Sequence, residues 1–231
     1  MRYLTLFSAT LLAAPLPALA QAVVVDEGTF SISRGGARIG RESFTIRRSP
    51  GPGGDVYVAN ATVDFDAQRL SPALRADNSF SPLAYQLEVR SGGTVQEQLK
   101  GLVGRGRFSA QMRTPKGEST KEYIVSDGAL ILDDDVFHQY YFVAQRAAQM
   151  GAAGGTIPVV IPRRNMQMIM RVKPAGSEKV TIGGTAMDAR QYVLTEPSGA
   201  TRHVWVDSAG RVLKVSLDAQ GIVAVRDEPP S

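Results

Sequence analysis

Along most of its length the chain alternates apolar with polar residues in short stretches, with a turn signal about every ten residues, and this alternation decides what it can fold into. A period of two sends successive side chains to opposite faces of a strand. In residues 56–65, Tyr57, Ala59, Ala61, Val63 and Phe65 share one face, while Asn60, Thr62 and Asp64 take the other. The same reading groups Phe30 with Ile32, Tyr85 with Leu87 and Val89, Phe108 with Ala110 and Met112, and Leu213 with Val215 and Leu217. Each such strand has one dry and one wet side, the mark of antiparallel structure packed on one face. Gly35-Gly36, Gly92-Gly93 and Gly183-Gly184 separate alternating stretches and suit tight hairpins, whose central residues need positive φ. Pro115-Lys116-Gly117, Pro197-Ser198-Gly199, Asp207-Ser208-Ala209-Gly210 and Asp218-Ala219-Gln220-Gly221 are further turns. The count comes to about a dozen strands, and sheets of that size curl or split. The expected fold is mainly β: a strongly curved antiparallel meander or incomplete β-barrel with one central α-helix on its concave face.

Two segments break the alternation. Residues 49–55, "SPGPGGD", read as a surface loop. From Val136 to about Gln149 the period becomes helical and ends before Gly151. With Asp133 as N-cap, Leu132 and Phe137 take the positions of a hydrophobic staple, and Asp134 and Asp135 fall in the first turn, where negative charge is favoured. That accounts for the acids of "DDDVFHQYYF" without chemistry and leaves His138 on the surface. The chemical alternative is a metal or acid–base site, since Asp134 and Asp135 precede His138 at helical spacing. Val136, Phe137, Tyr140, Tyr141, Phe142, Val143, Ala144, Ala147 and Ala148 nearly encircle the segment, so it should be buried, as a plug or lid in the curved sheet.

"NMQMIMRV" places Met166, Met168 and Met170 on one strand face. Flexible, polarisable thioethers suit a wall that receives variable apolar ligands, although core filling is their commonest use and soft Cu(I) ligation is a third. Facing them across a cavity, Phe137, Tyr140 and Tyr141 complete the candidate binding set. His203 and Asp207 flank the single Trp205 on one strand face, a polar patch beside an aromatic or, less commonly, an acid–base pair. Arg163 and Arg164 adjoin Pro162 in a solvated turn or an anion clamp. Arg34, Arg38, Arg41, Arg47 and Arg48, with Glu42 the one acid between them, read as a solvated strand face or a contact for anionic headgroups. The sequence lacks G-x-S-x-G, Ser-x-x-Lys and any cysteine nucleophile, so no catalytic residue is assigned.

The first twenty residues carry the pattern of a secretory signal: Arg2, an apolar run from Leu4 to Leu16, and Ala18-Leu19-Ala20 as the cleavage site. Residues 21–231 are then expected to fold as a single β-rich domain in the periplasm or outside the cell, with no transmembrane segment. The absence of cysteine removes disulfides and lipidation at a lipobox. A net charge of +4 is too small and scattered for nucleic acid. No cofactor and no metal is expected.

At "ALILDDDVFHQYYFVAQRA" and "ARQYVLTEPSGATRHVWVDSAGRVLKVSL" the chain resembles uncharacterised periplasmic β-sheet proteins of bacteria grouped as domains of unknown function. The layout is also similar to the curved half-barrel of the lipoprotein carriers, which implies an apolar concave face that takes acyl chains under a helical lid. The expected function is non-catalytic binding of an apolar or amphipathic ligand, a lipid or acyl chain, in the cell envelope. The alternatives are a structural or interaction module with a filled core, partnered by envelope proteins, and a hydrolase or metal enzyme using His138 or His203.

Overall fold

Alternation of this kind lets every strand bury one face and hydrogen-bond along both edges, and a computed structural model has, among the described residues, fifteen strands in a single sheet. The structure describes residues 21–65, 67–126 and 128–231, so the expected signal segment lies outside the described residues. The first eight strands are β1 (Val23–Arg34), β2 (Ala37–Gly51), β3 (Gly54–Phe65), β4 (Gln68–Ala76), β5 (Pro82–Ser91), β6 (Thr94–Gly104), β7 (Arg107–Thr114) and β8 (Gly117–Ile124). A two-residue β9 (Leu130–Ile131) precedes the helix α1 (Tyr140–Met150). Then come β10 (Gly155–Ile161), β11 (Met166–Ile182), β12 (Thr185–Thr195), β13 (Thr201–Val206), β14 (Val212–Leu217) and β15 (Ile222–Arg226).

The sheet order runs from β8 down to β1, then to β15, and from β15 down to β9. The chain therefore lays two meanders side by side and joins them at its first and last strands, Phe30 opposite Arg226 and Ile32 opposite Ala224. The free edges belong to β8 and β9, which are consecutive in sequence, so the sheet is curved and barrel-like without being closed. Across this seam Tyr123 Oη donates to Asn165 Oδ1 at 3.1 Å, and Gln167 Nε2 donates to the Ile124 carbonyl.

The three GG pairs turn their hairpins with positive φ at both glycines, joining Arg34 to Ala37, Ser91 to Thr94 and Ile182 to Thr185. Residues 49–55 are not a loop. Strand β2 continues to Gly51, which pairs with Gly54, and Pro52-Gly53 alone make the turn. A second departure concerns Leu213, grouped above with Val215 and Leu217. A bulge after Trp205 sets Val206 opposite Val212, so Val212 and Val215 enter the main core while Leu213 is turned to the outer face. There it packs with Trp205, Val180, Ile182 and Ala189, under the far half of the β11–β12 hairpin. The outer face is thus wet along β1–β8 and locally dry here.

The main core lies inside the curve. Phe30, Ile46, Tyr85, Leu99 and Phe108 reach it from the first meander, Ile157, Met170, Leu194 and Val204 from the second, and Phe137, Phe142 and Val143 from the segment between. Phe137 is 0 % exposed and Ile124 is 71 % exposed. Urea unfolding of Phe137→Ala should show a loss of about 3–5 kcal/mol, whereas Ile124→Ala should stay within about 0.5 kcal/mol of the parent.

Candidate functional site

The chain enters the barrel interior after β9, and what it brings there is partly polar. The helix starts at Tyr140, four residues later than its apolar pattern suggests. Asp135 is the reason: it sits at φ 63°, a left-handed conformation that interrupts any right-handed run through 134–137. Asp133 is therefore not the N-cap. Gln139 holds that position with helical φ and ψ and no side-chain cap, and no acid lies in the first turn. The amides of Tyr140, Tyr141 and Phe142 close onto the carbonyls of Phe137, His138 and Gln139 at 3.0–3.1 Å. This leaves the amides of Phe137 and His138 as the unsatisfied donors of a buried helix entrance.

Glu42 of β2 meets both. Its Oε2 accepts the Phe137 amide at 2.6 Å and its Oε1 the His138 amide at 2.9 Å. Oε1 also lies 2.5 Å from His138 Nδ1, and because that oxygen acts as acceptor the proton is assigned to Nδ1. Both side chains are 0 % exposed, and the imidazole stacks on Phe44, with ring centres 6.0 Å apart. His138 is thus an interior residue and not a surface one. Its Nε2 has no hydrogen-bond partner among the described residues.

Two further contacts fix the insert from other strands. Tyr85 Oη of β5 donates to Asp133 Oδ2 at 2.9 Å, while the Asp133 amide donates to Gln139 Oε1 at 2.6 Å. Burial pushes the Asp133 carboxyl from 3.8 up to about 7, against the nearby Arg163 charge and the Tyr85 donor, which pull it down. Burial, with Asp133 beside it, likewise raises the Tyr85 hydroxyl. On the opposite meander Arg202 of β13 donates to Tyr140 Oη at 2.9 Å and to Glu196 at 2.6 Å.

The remaining acids of the motif face arginines of the β10–β11 turn: Asp134 pairs with Arg164, and Asp135 lies 3.8 Å from Arg163. They share no helix face with His138, since the left-handed step is at Asp135 itself and α1 begins only at Tyr140. The pairing of His203 with Asp207 is not formed either. His203 Nε2 lies 2.9 Å from Asp218 and its ring stacks on Trp205, whereas Asp207 holds Arg211 at 2.8 Å and the amides of its own turn. No group of three or more His, Cys, Asp or Glu is placed to hold a metal among the described residues.

Of the six candidate ligand contacts, Phe137, Tyr140, Tyr141 and Met170 are buried. Met168 is half-buried against the same core, and Met166, at 39 % exposed, sits near the seam. None of the six lines the two clefts that border α1. One, of about 330 Å³, lies between Ala147, Ala148 and Gly151 on one wall and Pro174 and Tyr192 on the other. The second, of about 440 Å³, lies between Arg146 and the loops after β4, β6 and β8. The imidazole–carboxyl pair opens into neither; its chemistry is that of a cap. The accessible features are the clefts, which suit binding.

Against known proteins, a domain of unknown function (DUF6134) matches residues 160–226, from the end of β10 to β15. The crystal structure of a β-barrel-like protein of domain of unknown function DUF1849 from Brucella abortus matches with a TM-score of 0.61 at 10 % identity, covering 90 % of this chain and 98 % of that one. A DUF1089 family protein from Pseudomonas aeruginosa matches with a TM-score of 0.41 at 16 % identity, over 90 % and 95 % of the two chains. No curated protein matches. The chain is thus similar to uncharacterised β-sheet proteins of unknown function, with a barrel-like fold, and no helix of the described residues is long and apolar enough to cross a membrane.

Two outcomes follow from the buried contacts. Glu42→Ala strands two amides and an imidazole in the core and should cost about 3–5 kcal/mol in urea unfolding. The raised carboxyl of Asp133 makes the folded state hold a proton that the unfolded state releases. Its contribution is complete below about pH 4 and is lost as pH rises to about 7. Subtracting the stability–pH curve of Asp133→Asn from that of the parent should leave a fall across this interval and a flat line above it.

Proposed function

We propose that this chain is a non-catalytic binding protein of a bacterial cell envelope, periplasmic or secreted, and that its ligand is apolar or amphipathic, a lipid or acyl chain. The observation that carries the reading is the placement of α1: a largely apolar helix inside a curved sheet, bordered on its accessible sides by two clefts. Concave, mixed surfaces of this size beside a helix are where small molecules bind. The leader pattern at residues 1–20 supports export to the envelope.

The filled interior limits how a ligand is held. Phe137 and Met170 are fully enclosed and Tyr140 is tied to Arg202, so an acyl chain rests in the clefts. That same filled interior favours a second reading, an interaction module whose partner is another envelope protein. The exposed Leu102, Ile124 and Ile169 would then be contact residues.

Mass spectrometry of an organic extract from protein purified without detergent out of its own host, against a mock purification, separates the two. A lipid or other apolar molecule enriched at near one per protein is the expected result. An empty extract from folded protein would sink the ligand-binding reading and leave the module.

A further inference from the structure

We infer that the free edge of β8 is a docking site for an extended basic segment of a partner polypeptide, which adds to the sheet as a further antiparallel strand. None of the residues from Gly117 to Glu122 lines the clefts beside α1, so the use of this edge does not depend on what the clefts hold.

Strand β8 ends the sheet, and its pairing with β7 decides which of its backbone groups look out from that edge. In an antiparallel pair, residues that exchange both hydrogen bonds with their opposite number alternate with residues whose N–H and C=O point away from it. The Val125 amide donates to the Gly106 carbonyl at 2.9 Å, one step beyond the pair of Arg107 with Ile124. From there to Gly117 the register runs without a shift, so Ile124, Glu122, Thr120 and Glu118 are the residues turned away from β7. The Ile124 carbonyl agrees with this phase, since it accepts Gln167 Nε2 from across the seam. Among the described residues the N–H and C=O groups of Glu118, Thr120 and Glu122 have no hydrogen-bond partner, and every residue from Gly117 to Glu122 is exposed. Backbone groups left open along an edge are a template for another strand.

The side chains on this edge select the strand. Tyr123 is buried in the main core, so Glu118, Thr120 and Glu122, out of phase with it, stand on the outer face. The two glutamates are four residues apart, about 13 Å along the strand. Each has an arginine of β7 beside it, Arg113 at 2.6 Å from Glu118 and Arg107 at 2.9 Å from Glu122, and each stays about half exposed. An antiparallel strand with one residue opposite Thr120 sets the residues two before and two after it opposite Glu122 and Glu118. Lysine or arginine at both places extends each ion pair into a cation–carboxylate–cation row across three strands. A second copy of β8 in that register instead sets glutamate opposite glutamate at both places, and like charges directly opposite are destabilising. Charge on an edge strand commonly serves to keep copies apart. Here the same charge admits a strand of opposite sign, with affinity from main-chain bonds and choice from alternate side chains.

Titration of isotope-labelled protein with the end-blocked peptide Thr-Lys-Thr-Val-Thr-Lys-Thr, followed through the backbone amide resonances, tests the site. The amides of Glu118, Thr120 and Glu122 should shift together and saturate. The same peptide with glutamate in place of lysine should bind at least about fivefold more weakly, a gap that narrows with added salt. N-methylation of the valine, whose amide faces β8, should abolish the shifts, while N-methylation of the threonine next to it should not. Thr120→Pro removes an amide that the β7 ladder does not use, so binding should be lost with the urea midpoint unchanged. Glu118→Gln together with Glu122→Gln should make the two peptides equal. The peptide series on the parent protein decides the matter even if a variant fails to fold. Unmoved edge amides, or equal binding of the lysine and glutamate peptides, overturn the docking site and leave the ligand-binding reading standing. Shifts of the same amides on raising the protein concentration alone would give the edge to a second copy and overturn it as well.

Discussion

A helix can begin inside a barrel only if its first amides find acceptors there, and in this protein one carboxyl group from the wall provides them. Glu42 takes the amides of Phe137 and His138 and the imidazole of His138, all within an interior that water does not reach. An acceptor at the amino end of a helix is also where the helix dipole favours negative charge. Removing that group would leave donors whose desolvation is uncompensated, which is why the position of the whole insert depends on it. The large curved sheet in turn depends on the insert, because its fifteen strands enclose more space than their own side chains fill.

The polar contacts inside the core have a geometrical role as well as an energetic one. A helix that is apolar nearly all round has no preferred rotation in an apolar container, since hydrophobic burial is non-directional. Directional bonds remove that freedom. Glu42 fixes the entrance from β2, Tyr85 fixes Asp133 from β5, and Arg202 fixes Tyr140 from β13. These strands stand at separate places around the sheet, so the three contacts set depth, tilt and rotation together. The two clefts beside α1 inherit their shape from this arrangement.

Much of the architecture was legible in the sequence because it is governed by local rules. Period-two alternation, the GG turns and the apolar insert specify strands, hairpins and a buried helix without knowledge of distant residues. The start of the helix was less accessible: Asp135 in a left-handed conformation is a tertiary outcome, imposed where "DDD" turns toward Arg163 and Arg164. Leu213 reads as a neighbour of Val215 until the bulge after Trp205 changes its face. Glu42 was the most informative residue passed over. Among arginines it looks like part of a solvated face, yet it alternates in phase with Phe44 and Ile46, both core residues. An acid on the dry face of a strand calls for a buried partner, and nothing local says that this partner is His138, 96 positions away.

The sheet order carries a consequence for how the molecule comes into being. Strand β1 is emitted first from the ribosome and β15 last among the strands, yet they are hydrogen-bonded neighbours in the middle of the sheet, with Ser31 and Asp227 in contact across 196 positions. Until the final strand arrives, the nascent chain consists of a meander whose β1 edge is bare, and such an edge is a template for pairing with other chains. Pairing of β1 with β15 thus waits for the last of these strands and has a large loop entropy to overcome. A cyclic rearrangement that linked β15 to β1 and opened the chain between β8 and β9 would make every pair of neighbouring strands consecutive in sequence, with the long-range step abolished.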